Sequence, residues 1–159
     1  MSRVELAAAY NILDKLKLNE GICNHLTMLI PGTETFLCIA YGMAWSEVTP
    51  DNLLLVNKDG DVLEGEGICE KTAFFIHKAI HMSDPKNVCC FHTHQPYATS
   101  LCCVENGRLE MCHQNSLRFY DDVAYIRDFH GLVLDCQEGD YIAKTMKDKR
   151  VLFHSNHGI

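Results

Sequence analysis

The apolar run Val88-Cys89-Cys90-Phe91 leads straight into His92-Thr93-His94, and this join constrains the chain more than any other feature. A short apolar run of this kind reads as a buried strand, and side chains two apart on a strand point to the same face. Both imidazoles then project together from the strand's end. A further histidine, His157, follows the second apolar run Val151-Leu152-Phe153, in the pair His157-Gly158. Three neutral imidazoles with positions left open for other ligands describe a catalytic site for zinc or another borderline divalent metal. An isolated His-x-His more often pairs one core histidine with one surface histidine. The surrounding sequence decides against that here.

Composition sets the class. A chain of 159 residues can bury one core but not two ordinary ones. Apolar residues at 47% and charged residues at 22% belong to a globular protein, not a disordered one. The net charge of −7, with no basic patch, argues against a nucleic-acid partner. The nine cysteines are odd in number and form no Cys-x-x-Cys pair, so they read as small hydrophobes in a reducing compartment. The N-terminal stretch is an amphipathic helix carrying Leu6, Tyr10, Leu13 and Leu16 or Leu18, not a signal-peptide core. Nothing approaches a transmembrane run. A cytoplasmic location is the expectation.

Periodicity predicts a helix over 2–17 and strands over 26–30 and 36–40. Strands over 53–57 and 61–63 flank Lys58-Asp59-Gly60, where Asp-Gly signals a hairpin turn. A helix over 71–83 stops at Asp84-Pro85 and the strand 88–92 follows. A helix from Pro96 through Leu101, strands over 124–126 and 151–154, and a helix over 139–147 complete the pattern. Hairpins with interspersed helices make a layered α/β domain.

The chain resembles the class II aldolase/adducin family from about Leu6 onward. The resemblance rests on Leu6-Ala7-Ala8-Ala9-Tyr10, Asn24-His25-Leu26-Thr27, Ser46-Glu47-Val48-Thr49-Pro50, Asn57-Lys58-Asp59-Gly60, Phe91-His92-Thr93-His94-Gln95-Pro96-Tyr97 and Asn156-His157-Gly158. It implies a three-layer αβα domain with a mostly antiparallel central sheet and helices on both faces. It also implies that His92, His94 and His157 bind a divalent metal, with zinc first and iron second. Family members continue beyond the His-Gly pair with more strand and helix and form homo-oligomers. On this resemblance residues 1–159 are a single, C-terminally truncated family domain, with His157 two residues from a mobile end.

Where catalytic members carry a metal-binding glutamate, this chain has Ala73. His77 and His81 follow at four-residue steps on the same helical face. Three accounts stay open: His77 or His81 reaches the metal in place of the acid, the metal keeps three histidines and water, or both histidines are buried residues bonded to backbone carbonyls or to each other. The family's phosphate-cradling pairs also differ. They read Asn24-His25, Tyr41-Gly42 and Lys71-Thr72. Lys71 and Thr72 remain anion-binding candidates, for a carboxylate as readily as a phosphate.

For acid–base work the candidate is His113, set against the equal alternative of a surface loop, with Tyr97 and Tyr120 behind it. Three function classes compete. One is a metal-dependent aldehyde lyase acting on a small carbonyl or carboxylate compound. Another is an iron-dependent oxygenase of the same family. The third is an adducin-like, non-catalytic module binding actin or spectrin, to which Phe75-Ile76-His77-Lys78-Ala79-Ile80-His81 and Arg118-Phe119-Tyr120 bear a further resemblance.

Overall fold

The computed structural model describes residues 2–128 and 136–159. Helix α1 covers Ser2–Lys15 and ends where Lys17 takes a left-handed conformation (φ 59°). Lys17 N then bonds Asp14 O, and Leu18 N bonds Leu13 O. That pair of bonds is a Schellman cap, and it explains why the helix stops short of its expected limit. Strands β1 (His25–Leu29), β2 (Phe36–Cys38), β3 (Leu54–Val56) and β4 (Val62–Glu64) follow. The β3–β4 hairpin turns at Gly60 (φ 75°), as the Asp-Gly pair predicts. After these come α2 (Lys71–Ser83), β5 (Cys89–His92), α3 (Pro96–Cys102), β6 (Val123–Ile126), α4 (Cys136–Met146) and β7 (Val151–His154).

The central sheet has five strands in the order β4-β3-β2-β1-β5, and every described pairing in it is antiparallel. Alternate strand residues face opposite ways. Leu26 and Met28 of β1 meet Leu6, Ala7 and Tyr10 of α1, together with Leu37, Trp45, Val48 and Leu53. The Tyr10 hydroxyl donates to Leu26 O at 2.6 Å and accepts from Leu26 N at 2.8 Å, which locks α1 to the strand. On the opposite face Phe36, Cys38, Leu54 and Val56 pack with Cys69 and Phe74, the latter from α2. Helices therefore cover both faces of the sheet. A third cluster, Ile80, Ile126, Ile142 and Ala143, joins α2 to α4 and β6. Close approach of these helices needs Gly139, where a Cβ would lie 2.9 Å from Phe75 O.

Two features differ from the sequence-based picture. Strands β6 and β7 pair in parallel as a separate two-stranded sheet. Strand β5 is not fully buried either: it lies at the sheet's edge, with Cys89 exposed and Phe91 47% exposed. An apolar run signals burial only when both faces are covered, and at this edge only the face bearing Cys90 and His92 is partly enclosed. No described helix is long and apolar enough to cross a membrane.

Candidate metal centre

Strand β5 delivers His92 in register with His25 of β1. Beyond it, Thr93 exchanges both backbone hydrogen bonds with Ile159, at 3.0 and 3.2 Å. The chain returns to this point through a turn after β7. Asn156 adopts φ 58° and bonds Cys102 O at 2.9 Å, and His154 N bonds Gly158 O at 2.9 Å. His157 is thus pinned by β7, α3 and β5, which corrects the expectation of a mobile end. Gly158 has a steric role. A Cβ there would lie 2.6 Å from His94 Cδ2 and 2.9 Å from Thr93 O.

Three histidines, His92, His94 and His157, converge so that one ring nitrogen from each lies within 4.8 Å of the others. Ring centroids are 4.8–5.3 Å apart across the three pairs. His92 Nδ1 donates to the backbone oxygen of Ile159 at 2.9 Å, and His94 Nδ1 donates to Glu20 Oε2 at 2.9 Å. An oxygen of either kind only accepts at neutral pH, so both rings carry a proton on Nδ1, and in the neutral form that ligation requires each presents a lone pair on Nε2. Those two Nε2 atoms face each other at 3.1 Å. Two lone pairs held that close repel, and a cation between them converts repulsion into shared ligation. Nitrogens each about 2.0–2.1 Å from one zinc lie roughly 3.3 Å apart at the tetrahedral angle. The donor set therefore fits a divalent cation, with outer hydrogen bonds already orienting two of the rings.

Charge state agrees with this. Burial, then the neighbouring His25, His157 and His94, holds the His92 imidazolium well below its ordinary range. Burial, then His154, His94 and His25, brings His157 to about 4. Both rings are neutral at pH 7, as ligation requires.

The model of the class II aldolase and adducin N-terminal domain matches residues 4–159. The chain belongs to that family. An adducin-related protein of Schizosaccharomyces pombe is 36% identical over 99% of this chain and 50% of its own length. An aldolase II superfamily protein from Pseudomonas syringae superposes with a TM-score of 0.91 at 31% identity, over 98% of this chain and 62% of that one. The L-fuculose 1-phosphate aldolase of Glaciozyma antarctica superposes with a TM-score of 0.87 at 28% identity, over 98% of this chain and 61% of that one. The chain thus spans about half to three-fifths of these proteins.

Within this family domain, Ala73 is half-buried in the first turn of α2, and His77 and His81 are buried on the following turns. Neither joins the three-histidine cluster. His81 Nδ1 donates to Asn87 O, so its Nε2 must accept from Thr27 Oγ1 at 2.8 Å. With its proton given to His81, Thr27 Oγ1 can only accept from His77 Nδ1 at 2.8 Å. The chain of bonds is closed, and it takes both histidines in the same direction as the account of satisfied buried residues.

The remaining candidates are engaged elsewhere or exposed. The Glu70 carboxylate accepts from Thr72 N, Ala73 N and Thr72 Oγ1, and Lys71 pairs with Asp61 at 3.1 Å. The amides that would cradle an anion are already occupied by a carboxylate of the chain. His113 is exposed in a local turn, where its Nδ1 accepts from Asn115 N at 3.2 Å, and it lies outside the cluster. Tyr97 is 91% exposed and Tyr120 73%. Sequence patterning does not single out Glu20 or His154, which flank the cluster, and the motif Asn24-His25-Leu26-Thr27 assigns Thr27 no role. The one available signal is the polar His25 and Thr27 at two-residue spacing in an otherwise apolar strand.

Proposed function

We propose that residues 1–159 form one domain that holds a divalent cation on the Nε2 atoms of His92 and His94 and on His157. On this reading the domain is a metal-dependent lyase for a small carbonyl compound. The observation that carries it is the 3.1 Å approach of two Nε2 lone pairs whose rings are both committed through Nδ1. Lewis-acid polarisation of a carbonyl oxygen is the chemistry such a cation supplies. The chain's own residues do the rest. Glu20 and the Ile159 backbone fix the tautomers of His94 and His92. Thr93, paired with Ile159, holds the two ligand-bearing segments in register. Ala73 brings no carboxylate to move a proton, so proton transfer is the weak part of this site.

The test is elemental analysis of the purified protein with and without His92→Ala. About one equivalent of zinc in the wild type, lost in the variant, is expected. Absence of metal after reconstitution would overturn the reading. Iron in place of zinc would favour the oxygenase chemistry, since zinc supplies no redox step. On zinc-loaded protein, cleavage of L-fuculose 1-phosphate slower than about 1 s⁻¹, the low end of ordinary turnover, is expected. Faster cleavage would show that the carboxylate is dispensable.

A second reading, a non-catalytic adducin-like interaction module, draws on Ala73 and on the adducin-related relative. Actin and spectrin are the partners it would assign. Metal-independent cosedimentation with actin would favour it.

A further inference from the structure

Strand β2 and the entry to α2 each bring one cysteine into the same apolar cluster, and the metal centre uses neither. Cys38 is the last residue of β2, and Cys69 lies two residues before α2 begins. Both are buried, at 4% and 5% exposure, among Phe36, Leu54, Val56 and Phe74. The segment before Cys69 is held beside the exit of β2 by the bond from Tyr41 N to Ile68 O at 2.8 Å. The Cys38 thiol donates to Cys69 Sγ at 3.8 Å, and Cys69 Sγ in turn points at Glu70 O, 4.0 Å away. The two sulfurs therefore face each other with no atom between them.

This contact separates the pair from the chain's other buried thiols. Burial, then the neighbouring Cys89, pushes Cys90 up to about 12, as befits an inert core thiol. Cys69 is instead held below the ordinary thiol range, first by the hydrogen bond from Cys38, which favours a negative sulfur. Cys38, the donor in that bond, is raised. The two sulfurs thus have unequal roles: Cys69 is the nucleophile and Cys38 the proton donor beside it. A small oxidant also has a short way in. Residues 61–68 are all exposed, and Cys69 is the first buried residue behind them.

We propose that Cys38 and Cys69 form a redox-modification site, where a hydroperoxide converts the two thiols into an internal disulfide joining β2 to the start of α2. With hydrogen peroxide, the Cys69 thiolate attacks one oxygen and the O–O bond breaks. The other oxygen leaves as hydroxide and takes up the proton that Cys69 released, which leaves Cys69 as a sulfenic acid. The Cys38 sulfur then attacks the Cys69 sulfur. An S–S bond forms, the S–O bond breaks, and the hydroxyl leaves with the Cys38 proton as water. Two thiols lose two electrons in all, and one peroxide becomes two waters. The sulfurs must close from 3.8 Å to about 2.0 Å. Cys38 is fixed by its pairing with β1 and β3, so the movement falls to Cys69, which lies outside any helix or strand.

The test adds hydrogen peroxide to the native chain carrying Cys23→Ser, blocks the remaining thiols with N-ethylmaleimide, and maps tryptic peptides by mass spectrometry without reduction. Cys23 is exposed, and its removal leaves Cys38 as the one cysteine of tryptic peptide 18–58, while Cys69 is the one cysteine of 59–71. Those two peptides should be recovered joined, and dithiothreitol should separate them. The cross-linked form should melt about 5–10 °C above the reduced one, because closing a span of 31 positions restrains the unfolded chain. In Cys38→Ser, which keeps a donor but has no second sulfur, dimedone should trap a sulfenic acid at Cys69. N-ethylmaleimide on both Cys38 and Cys69 after peroxide treatment would overturn the proposal. So would a cross-link that forms only in urea, or a cross-linked form that melts below the reduced one. A sulfenic acid trapped at Cys38 in Cys69→Ser, with none at Cys69 in Cys38→Ser, would overturn the order of attack. The peptide map needs neither of these serine variants to fold.

Discussion

Replacing Thr27 by Val probes the polar seam that joins β1 to α2. Val keeps the shape of Thr and removes only the hydroxyl that serves as acceptor for His77 Nδ1 and donor to His81 Nε2, both at 2.8 Å. Thr27 is 1% exposed, His77 2% and His81 1%, so water cannot replace the lost partner. His81 cannot escape by changing tautomer, because Asn87 O requires its Nδ1 proton. Each buried polar atom left unpaired costs about 1–3 kcal/mol, so the pair should cost roughly 3 kcal/mol after partial relaxation. For a chain of this size that lowers the melting temperature by about 6–12 °C. Urea and thermal unfolding of metal-free protein at pH 7.5, followed by circular dichroism, measures it. Thr27→Ser retains the hydroxyl and should lose only about 1 kcal/mol for its methyl group. Destabilisation of Thr27→Val below about 1 kcal/mol, or equal losses in the two variants, would refute the closed hydrogen-bond chain.

Three further outcomes follow from the same geometry. The pKa values of His25 and His157 fall from 6.5 in the unfolded chain to about 4 in the fold, and those of His77, His81 and His92 fall as well. The unfolded chain therefore takes up protons first. Stability of the metal-free protein is complete above about pH 6.5 and declines toward pH 4, by roughly 2 kcal/mol at pH 5 for each of His25 and His157. Equal urea midpoints at pH 7.5 and pH 5 would contradict that. Glu20→Ala frees His94 Nδ1 and should weaken zinc binding by about 10–100-fold, measured by competition with a chromophoric chelator. Ala73→Glu should tighten zinc binding by about tenfold if the first turn of α2 faces the cluster, and an unchanged affinity would show that it does not.

Local patterning determined the elements of this protein. The helix over Lys71–Ser83 follows from apolar residues at a 3.6-residue period, the strand Val151–His154 from a short continuous apolar run, and the Asp59-Gly60 turn from a backbone preference. Such periods are short-range, so they are readable without knowing what each element meets. The His-x-His spacing likewise belongs to one strand and its exit, and the family motifs carried His157 to the same site. The tertiary structure decided everything that depends on pairing across the chain. The β1–β5 register set His25 against His92, and the same strand aimed Thr27 between His77 and His81. Glu20 reaches His94 from a loop 74 positions earlier. The edge position of β5 left Phe91 half-exposed despite its apolar run, and β6 and β7 paired apart from the central sheet. A one-residue slip in strand register would send each of these side chains to the other face. No periodicity within β1, β5 or α2 encodes which partner residue stands opposite, so that part of the site exists only once the chain has folded.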